Sequence, residues 1–192
     1  MFVRLVFAVL LLAAPAAAET FVFPRHGVAI DAPEGWTVIG AADLIQMADG
    51  SDFGDELKQA ARGQNQSLLL SAVRDWPVIG VTPGLHLNVY PYQVGSIPDG
   101  LAQVATYLAR NTQRFELLVE AADDQLGPFK AGYMIYRYHV VSNGEAYDVE
   151  EKFWLIPLGD HYLTLSSGYA PDEGAPARAA IEAAAKSLRR QP

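Results

Sequence analysis

Residues 131–156 read AGYMIYRYHVVSNGEAYDVEEKFWLI, and the fold is decided inside them. Two alternating runs flank Ser142-Asn143-Gly144-Glu145, and Asn-Gly is the preferred pair for a two-residue type I′ hairpin. With Asn143 and Gly144 as the loop, Ser142 opposes Glu145, and the other pairings follow. His139 opposes Asp148, Arg137 opposes Glu150, Ile135 opposes Lys152 and Tyr133 opposes Trp154, all on one face. That face is expected to be wet near the turn and apolar at its far end. The other face carries Met134, Tyr136, Tyr138 and Val140 against Tyr147, Val149, Glu151 and Phe153, and is expected to meet the core. A one-residue slip would exchange the two faces, so the register is strongly specified.

The hairpin sits within four consecutive strands, expected over 115–121, 131–141, 146–156 and 161–167. Upstream, alternation predicts strands over 21–23, 27–31, 36–39, 67–74 and 85–90. Apolar residues on both sides of 67–74 mark it as a well-buried strand. Pro33-Glu34-Gly35-Trp36 reads as a turn in which Gly35 takes a positive φ. A helix is expected over 98–111, with Pro98 in its first turn, Asp99 at its positive end, and Leu101, Val104, Ala105 and Leu108 as its buried stripe. A second is expected over 176–188, with Arg189 and Arg190 against its negative end. Residues 41–62 read as two helical pieces broken at Gly50 and Gly54, and 76–84 as a loop rich in Pro and Gly. Adjacent strands joined by short turns pair antiparallel and need helices to cover them. The expected fold is α+β: one domain, 19–192, with a central antiparallel β-sheet flanked by helices.

Residues 1–18 read as a cleavable signal. Arg4 precedes an apolar run from Leu5 to Ala14, and Ala16 and Ala18 are the small residues a signal peptidase needs, with the cut after Ala18. The run is short for a membrane span, which takes about 20 residues. Cleavage leaves 174 of the 192 residues, enough for a sizeable core. The whole chain carries a net charge of −8, made one unit more negative by loss of Arg4. Such a surface repels phosphate backbones, so no nucleic acid partner is expected. The absence of cysteine excludes thiol catalysis, thiolate metal sites and a lipid-anchoring cysteine. No later run approaches membrane-spanning length, so no stable membrane insertion is expected after cleavage. The expected address is the bacterial periplasm or exterior.

No nucleophile elbow, zinc-protease helix motif, S-x-x-K, phosphate loop or dinucleotide fingerprint is present, and no cofactor is implied. His26, His86, His139 and His161 each stand alone, without the close spacing of many zinc sites. The stretch Asp49-Gly50-Ser51-Asp52-Phe53-Gly54-Asp55-Glu56 offers oxygens to calcium, but Phe53 and Ala60 occupy positions where the helix-loop-helix pattern needs ligands. The plainer reading is an acidic helix start capped by Ser51. Arg137, His139, Asp148 and Glu150 are the candidate binding surface, which His86, Asn88 and Tyr90 extend if their strand lies nearby. The alternative is a set of cross-strand pairs on the wet face of a sheet, worth roughly 0.2–1 kcal/mol each. Tyr133, Tyr136, Tyr138 and Tyr147 crowd the hairpin, either lining a ligand groove or packing in the core.

The segment FPRHGVAIDAPEGW, residues 23–36, resembles the opening of PsbP-like exported proteins. The later order is similar too: a helix, antiparallel strands, the Tyr162-Leu163-Thr164-Leu165-Ser166 strand, and a final helix ending near Ser187-Leu188. The resemblance implies a PsbP-like α/β/α sandwich and an accessory or binding protein, with no shared catalytic residues. The 76–84 loop and the broken 41–62 region depart from that pattern and are where this chain's own specificity is expected. Three functions follow as expectations: an accessory protein engaging an envelope protein partner, a small-ligand carrier, and a hydrolase using His86, His139 or His161 with dispersed partners. Oligomeric state is not legible.

Overall fold

The computed structural model describes residues 18–63, 67–78, 80–142 and 144–191. The expected signal lies outside these residues except for Ala18, and so does Asn143 of the hairpin loop. The strands are β1 (Thr20–Phe23), β2 (Val28–Asp31), β3 (Thr37–Val38), β4 (Leu68–Val73), β5 (Gly84–Tyr90), β6 (Gln113–Leu126), β7 (Phe129–Ser142), β8 (Glu145–Pro157), β9 (Tyr162–Tyr169) and β10 (Arg189–Arg190). The helices are α1 (Ala41–Asp49), α2 (Asp55–Gly63), α3 (Ile97–Asn111) and α4 (Gly174–Lys186).

Seven strands form an antiparallel sheet in the order β3-β4-β5-β9-β8-β7-β6. The β7–β8 hairpin has the register that the turn dictates, from Ser142 opposite Glu145 to Gly132 opposite Leu155. One face of the sheet packs α3: Leu101 meets Met134, Tyr136 and Leu155, with Val104, Ala105 and Leu108 alongside. Ser96 caps this helix by accepting from the Asp99 backbone N–H. The other face packs α4 and β2, where Ile181, Ala184, Ala185, Val28 and Ile30 close over Trp154, Leu163 and Leu165. The result is the expected α+β sandwich, an antiparallel sheet between helical layers.

Three expectations are corrected. Strand β6 runs through Leu126 rather than ending near 121, because Asp123–Leu126 continue the ladder with Phe129–Gly132. Helix α4 ends at Lys186, and Arg189 and Arg190 form β10 on the free edge of β2 instead of continuing or capping a helix. There, Arg189 pairs with Asp31 at 2.8 Å and donates to Thr20 Oγ1 at 3.2 Å, so β1-β2-β10 is a separate small sheet. Ser51 caps no helix start. Its hydroxyl donates to the Ala48 carbonyl at 2.6 Å and closes the end of α1. The apolar hairpin face meets the core as expected, with Met134, Tyr136, Val140 and Val149 buried and Tyr138 and Phe153 packed against the α3 cluster. Its end nearer the turn, from Tyr138, Val140, Val149 and Glu151, also lines a cavity.

Candidate functional site

The cavity, about 530 Å³, lies on the α3 side of the sheet beyond the helix, over the ends of β4, β5, β9, β8 and β7. Two segments enclose it. The first is α1 with the connection to α2. Where β6 no longer reaches, that connection docks on β7: the Asp52 N–H donates to the Val141 carbonyl at 2.8 Å, and its carboxylate accepts from the Val141 N–H at 2.7 Å. Gln113 also donates to Asp52. Asp49 pairs with Arg62 at 2.6 Å, and among the described residues no three of His, Asp and Glu group to hold a metal ion. Phe53 is carried onto the Tyr138 ring, with centroids 6.0 Å apart.

The second segment is the 76–84 loop. Its base is tied by the Arg74 N–H donating to the Pro83 carbonyl and by Thr82 bonding Asp75. Arg74 also holds Glu173 through both guanidinium arms, at 2.5 and 2.9 Å. The loop's Gly80, at φ +75°, passes so near the Tyr147 ring that a β-carbon would sit 2.8 Å from its hydroxyl. The loop therefore reaches across this face of the sheet from β4 and β5 to Tyr147 on β8 and leaves Trp76 40 % exposed at the rim.

The floor is set by two facing glycines. Gly84 and Gly168 are partners in the β5–β9 ladder. A β-carbon on Gly84 would lie 3.1 Å from His86 Nε2, and one on Gly168 would lie 4.0 Å from Glu151 Oε2. His86 and Glu151 thus lean over the glycine pair from either side. Burial pushes the Glu151 carboxyl up to about 7, against hydrogen bonds from the Tyr136 and Tyr138 hydroxyls that favour the anion. The same burial pushes the His86 imidazole down to about 4, so it is neutral at physiological pH. Its Nδ1 meets Ser71 Oγ at 2.9 Å, the one hydrogen bond of that buried hydroxyl among the described residues. A buried hydroxyl must donate, so Ser71 donates to Nδ1 and the proton sits on Nε2, aimed into the cavity. The site therefore offers a carboxyl group, an N–H donor and aromatic walls. No Lys or Arg stands among its described lining residues.

The six sequence-predicted site residues fall on opposite faces of the sheet. His86 stands beside Ser166, Ser166 beside Phe153, and Phe153 beside Met134. His86, Asn88 and Tyr90 are therefore on the α3 face, and Arg137, His139, Asp148 and Glu150 are behind it. His86 belongs to the cavity, while Tyr90 stacks on Tyr162 at 5.0 Å nearer α3. On the reverse face, Arg137 reaches Glu150 at 3.2 Å, Tyr169 donates to Glu150 at 2.6 Å, and His139 meets Asp148 at 3.0 Å. Sequence reasoning offered Tyr138 as one of two readings, groove or core, and the 76–84 loop of Trp76 as a place of specificity, but it passed over Glu151 as a site residue. One signal was available: Glu151 is the single charged residue on the hairpin face assigned to the core.

The sequence matches no protein-family model and no curated protein. The fold does match solved structures. The solution structure of cyanobacterial PsbP from Synechocystis sp. PCC 6803 superposes with a TM-score of 0.59 at 11 % identity, covering 93 % of this chain and 95 % of that one. LpqN of Mycobacterium tuberculosis, described as involved in cell envelope biogenesis, superposes with a TM-score of 0.52 at 14 % identity, covering 94 % and 88 %. The chain has a PsbP-like fold.

Proposed function

We propose that this chain is an exported accessory protein of the bacterial cell envelope, periplasmic or secreted, that binds its ligand without transforming it. The cavity between α1 and the 76–84 loop is its recognition site, and this half-open, mostly apolar space with a few converging polar groups carries the reading. Both segments that depart from the PsbP-like pattern in sequence form its walls. The signal-like residues 1–18 and the likeness to LpqN support the address. The one Ser–His contact in the cavity supports binding over hydrolysis: Ser71 is 1 % exposed, so its hydroxyl orients His86 and cannot reach a substrate.

Native mass spectrometry of the full chain, tagged and recovered from the envelope of its own cells, tests the reading. A retained small-molecule mass, lost in a Val149→Phe variant that fills the floor, is the expected result. Protein that is repeatedly empty, or a mass kept by the variant, overturns it. A protein partner is a second reading, favoured by Trp76 standing exposed at the rim. In-cell cross-linking that captures the same envelope protein with wild type and loses it when 76–84 is replaced would establish it.

A further inference from the structure

We infer that the cavity selects a small organic cation, an ammonium group on an apolar body, with Glu151 as its counter-ion. The inference rests on the cavity being a binding site. The carboxyl of Glu151 lies on the floor, Asp43, which also accepts from the Gly40 N–H, adds a second acid on the α1 side, and no Lys or Arg stands among the described lining residues to balance them. An anionic ligand would meet two acids and no counter-charge while losing its own hydration, which disfavours it strongly. A neutral apolar ligand would strip water from Glu151 and give nothing back. A cation restores the lost solvation with a direct ion pair. The rings of Phe53, Trp76 and Tyr138 add faces that attract an ammonium, and Val73, Val140 and Val149 match an apolar body.

Tyr136 and Tyr138 support the carboxylate from β7 by donating to it, and they leave its charge for the ligand. Tyr136 is buried in the α3 cluster behind the floor, so it positions Glu151 and does not touch a ligand. The Nε2–H of His86 offers a hydrogen bond to an acceptor on the ligand body.

Binding is coupled to a proton. Tyr136 and Tyr138 on β7 bond Glu151, His86 on β5 lines the same cavity, and Asp43 on α1 is the other acid of the lining. The tyrosines stay protonated and His86 stays neutral near pH 7, so Glu151 is the group that changes. A cation pairs with its ionised form, a proton leaves to solvent, and affinity rises as pH rises through neutrality.

Three isosteres separate charge from shape: tryptamine, tryptophol and indole-3-acetate, titrated calorimetrically into the full exported protein at pH 8 and pH 5.5. Tryptamine should bind about tenfold or more tighter than tryptophol at pH 8, with indole-3-acetate weakest. The preference should collapse at pH 5.5 and in Glu151→Gln, which weakens tryptamine and removes the charge that disfavours tryptophol. If tryptophol or indole-3-acetate binds as well as tryptamine at pH 8, the charge inference fails while the cavity remains a binding site. If none of the three binds, the charge inference and the cavity reading fall together.

Discussion

Replacing Glu151 with Gln should make the protein's stability fall more steeply on acidification than the wild type's. Glu151 has its folded pKa raised from 4.5 to about 7, so its contribution is present below pH 4.5 and is lost as pH rises through 7. His86 runs the other way. Its folded pKa is depressed from 6.5 to about 4, so its contribution is present above pH 6.5 and is lost as pH falls through 4. Between pH 4.5 and 6.5 each slope is about 1.4 kcal/mol per unit, and the two oppose. In Glu151→Gln only the His86 slope remains. That variant should lose about 3 kcal/mol, relative to wild type, on acidification from pH 6.5 to 4.5. His26, also depressed by burial, contributes equally to both proteins and leaves the difference untouched. Urea denaturation at pH 4.5, 5.5 and 6.5 reads the effect as a relative midpoint shift of about 1 M or more. A His86→Gln variant should show the mirror image, losing stability as pH rises. Parallel curves for Glu151→Gln and wild type would refute the opposed-pair reasoning.

Other substitutions test the frame. Gly127, at φ +55°, sits where a β-carbon would overlap the Leu188 carbonyl oxygen, so Gly127→Ala should cost about 2 kcal/mol or more in chemical denaturation. Trp154 is fully buried and donates to Asp124 at 2.9 Å; Trp154→Phe should cost about 2–4 kcal/mol, read as a lowered urea midpoint with an unchanged slope. Arg74→Ala removes the clamp on Glu173 from a partly exposed site, so it should lower stability by only about 0.5–1 kcal/mol. Hydrogen exchange should rise in the 76–84 loop of that variant and stay unchanged in β8.

The hairpin was readable because Asn143-Gly144 fixes a turn, and a turn fixes every pair behind it. The α3 stripe was readable from apolar spacing alone. The small sheet was not, because β10 is two arginines whose strand geometry comes from the edge of β2, nearly 160 residues away. Face assignment between distant strands failed for a related reason. Alternation tells which residues of one strand share a side, but β5 and β7 are related only through β9 and β8. That unread order decided that His86 looks away from His139. The cavity was legible only as its ingredients: two irregular segments and one acid on an apolar face.

The small sheet also constrains the order in which the molecule can be completed. Thr20 and Asp31, among the first described residues, are held by Arg189, and the Gln191 N–H donates to the Gly27 carbonyl at 2.9 Å. The second edge of β2 has no partner until residues 189–191 arrive, so a loop of about 160 residues must close to finish this sheet. A chain cut short upstream of residue 189 keeps an open β-edge beside its core, marking it for proteolysis or aggregation, an edge that residues 189–191 cover.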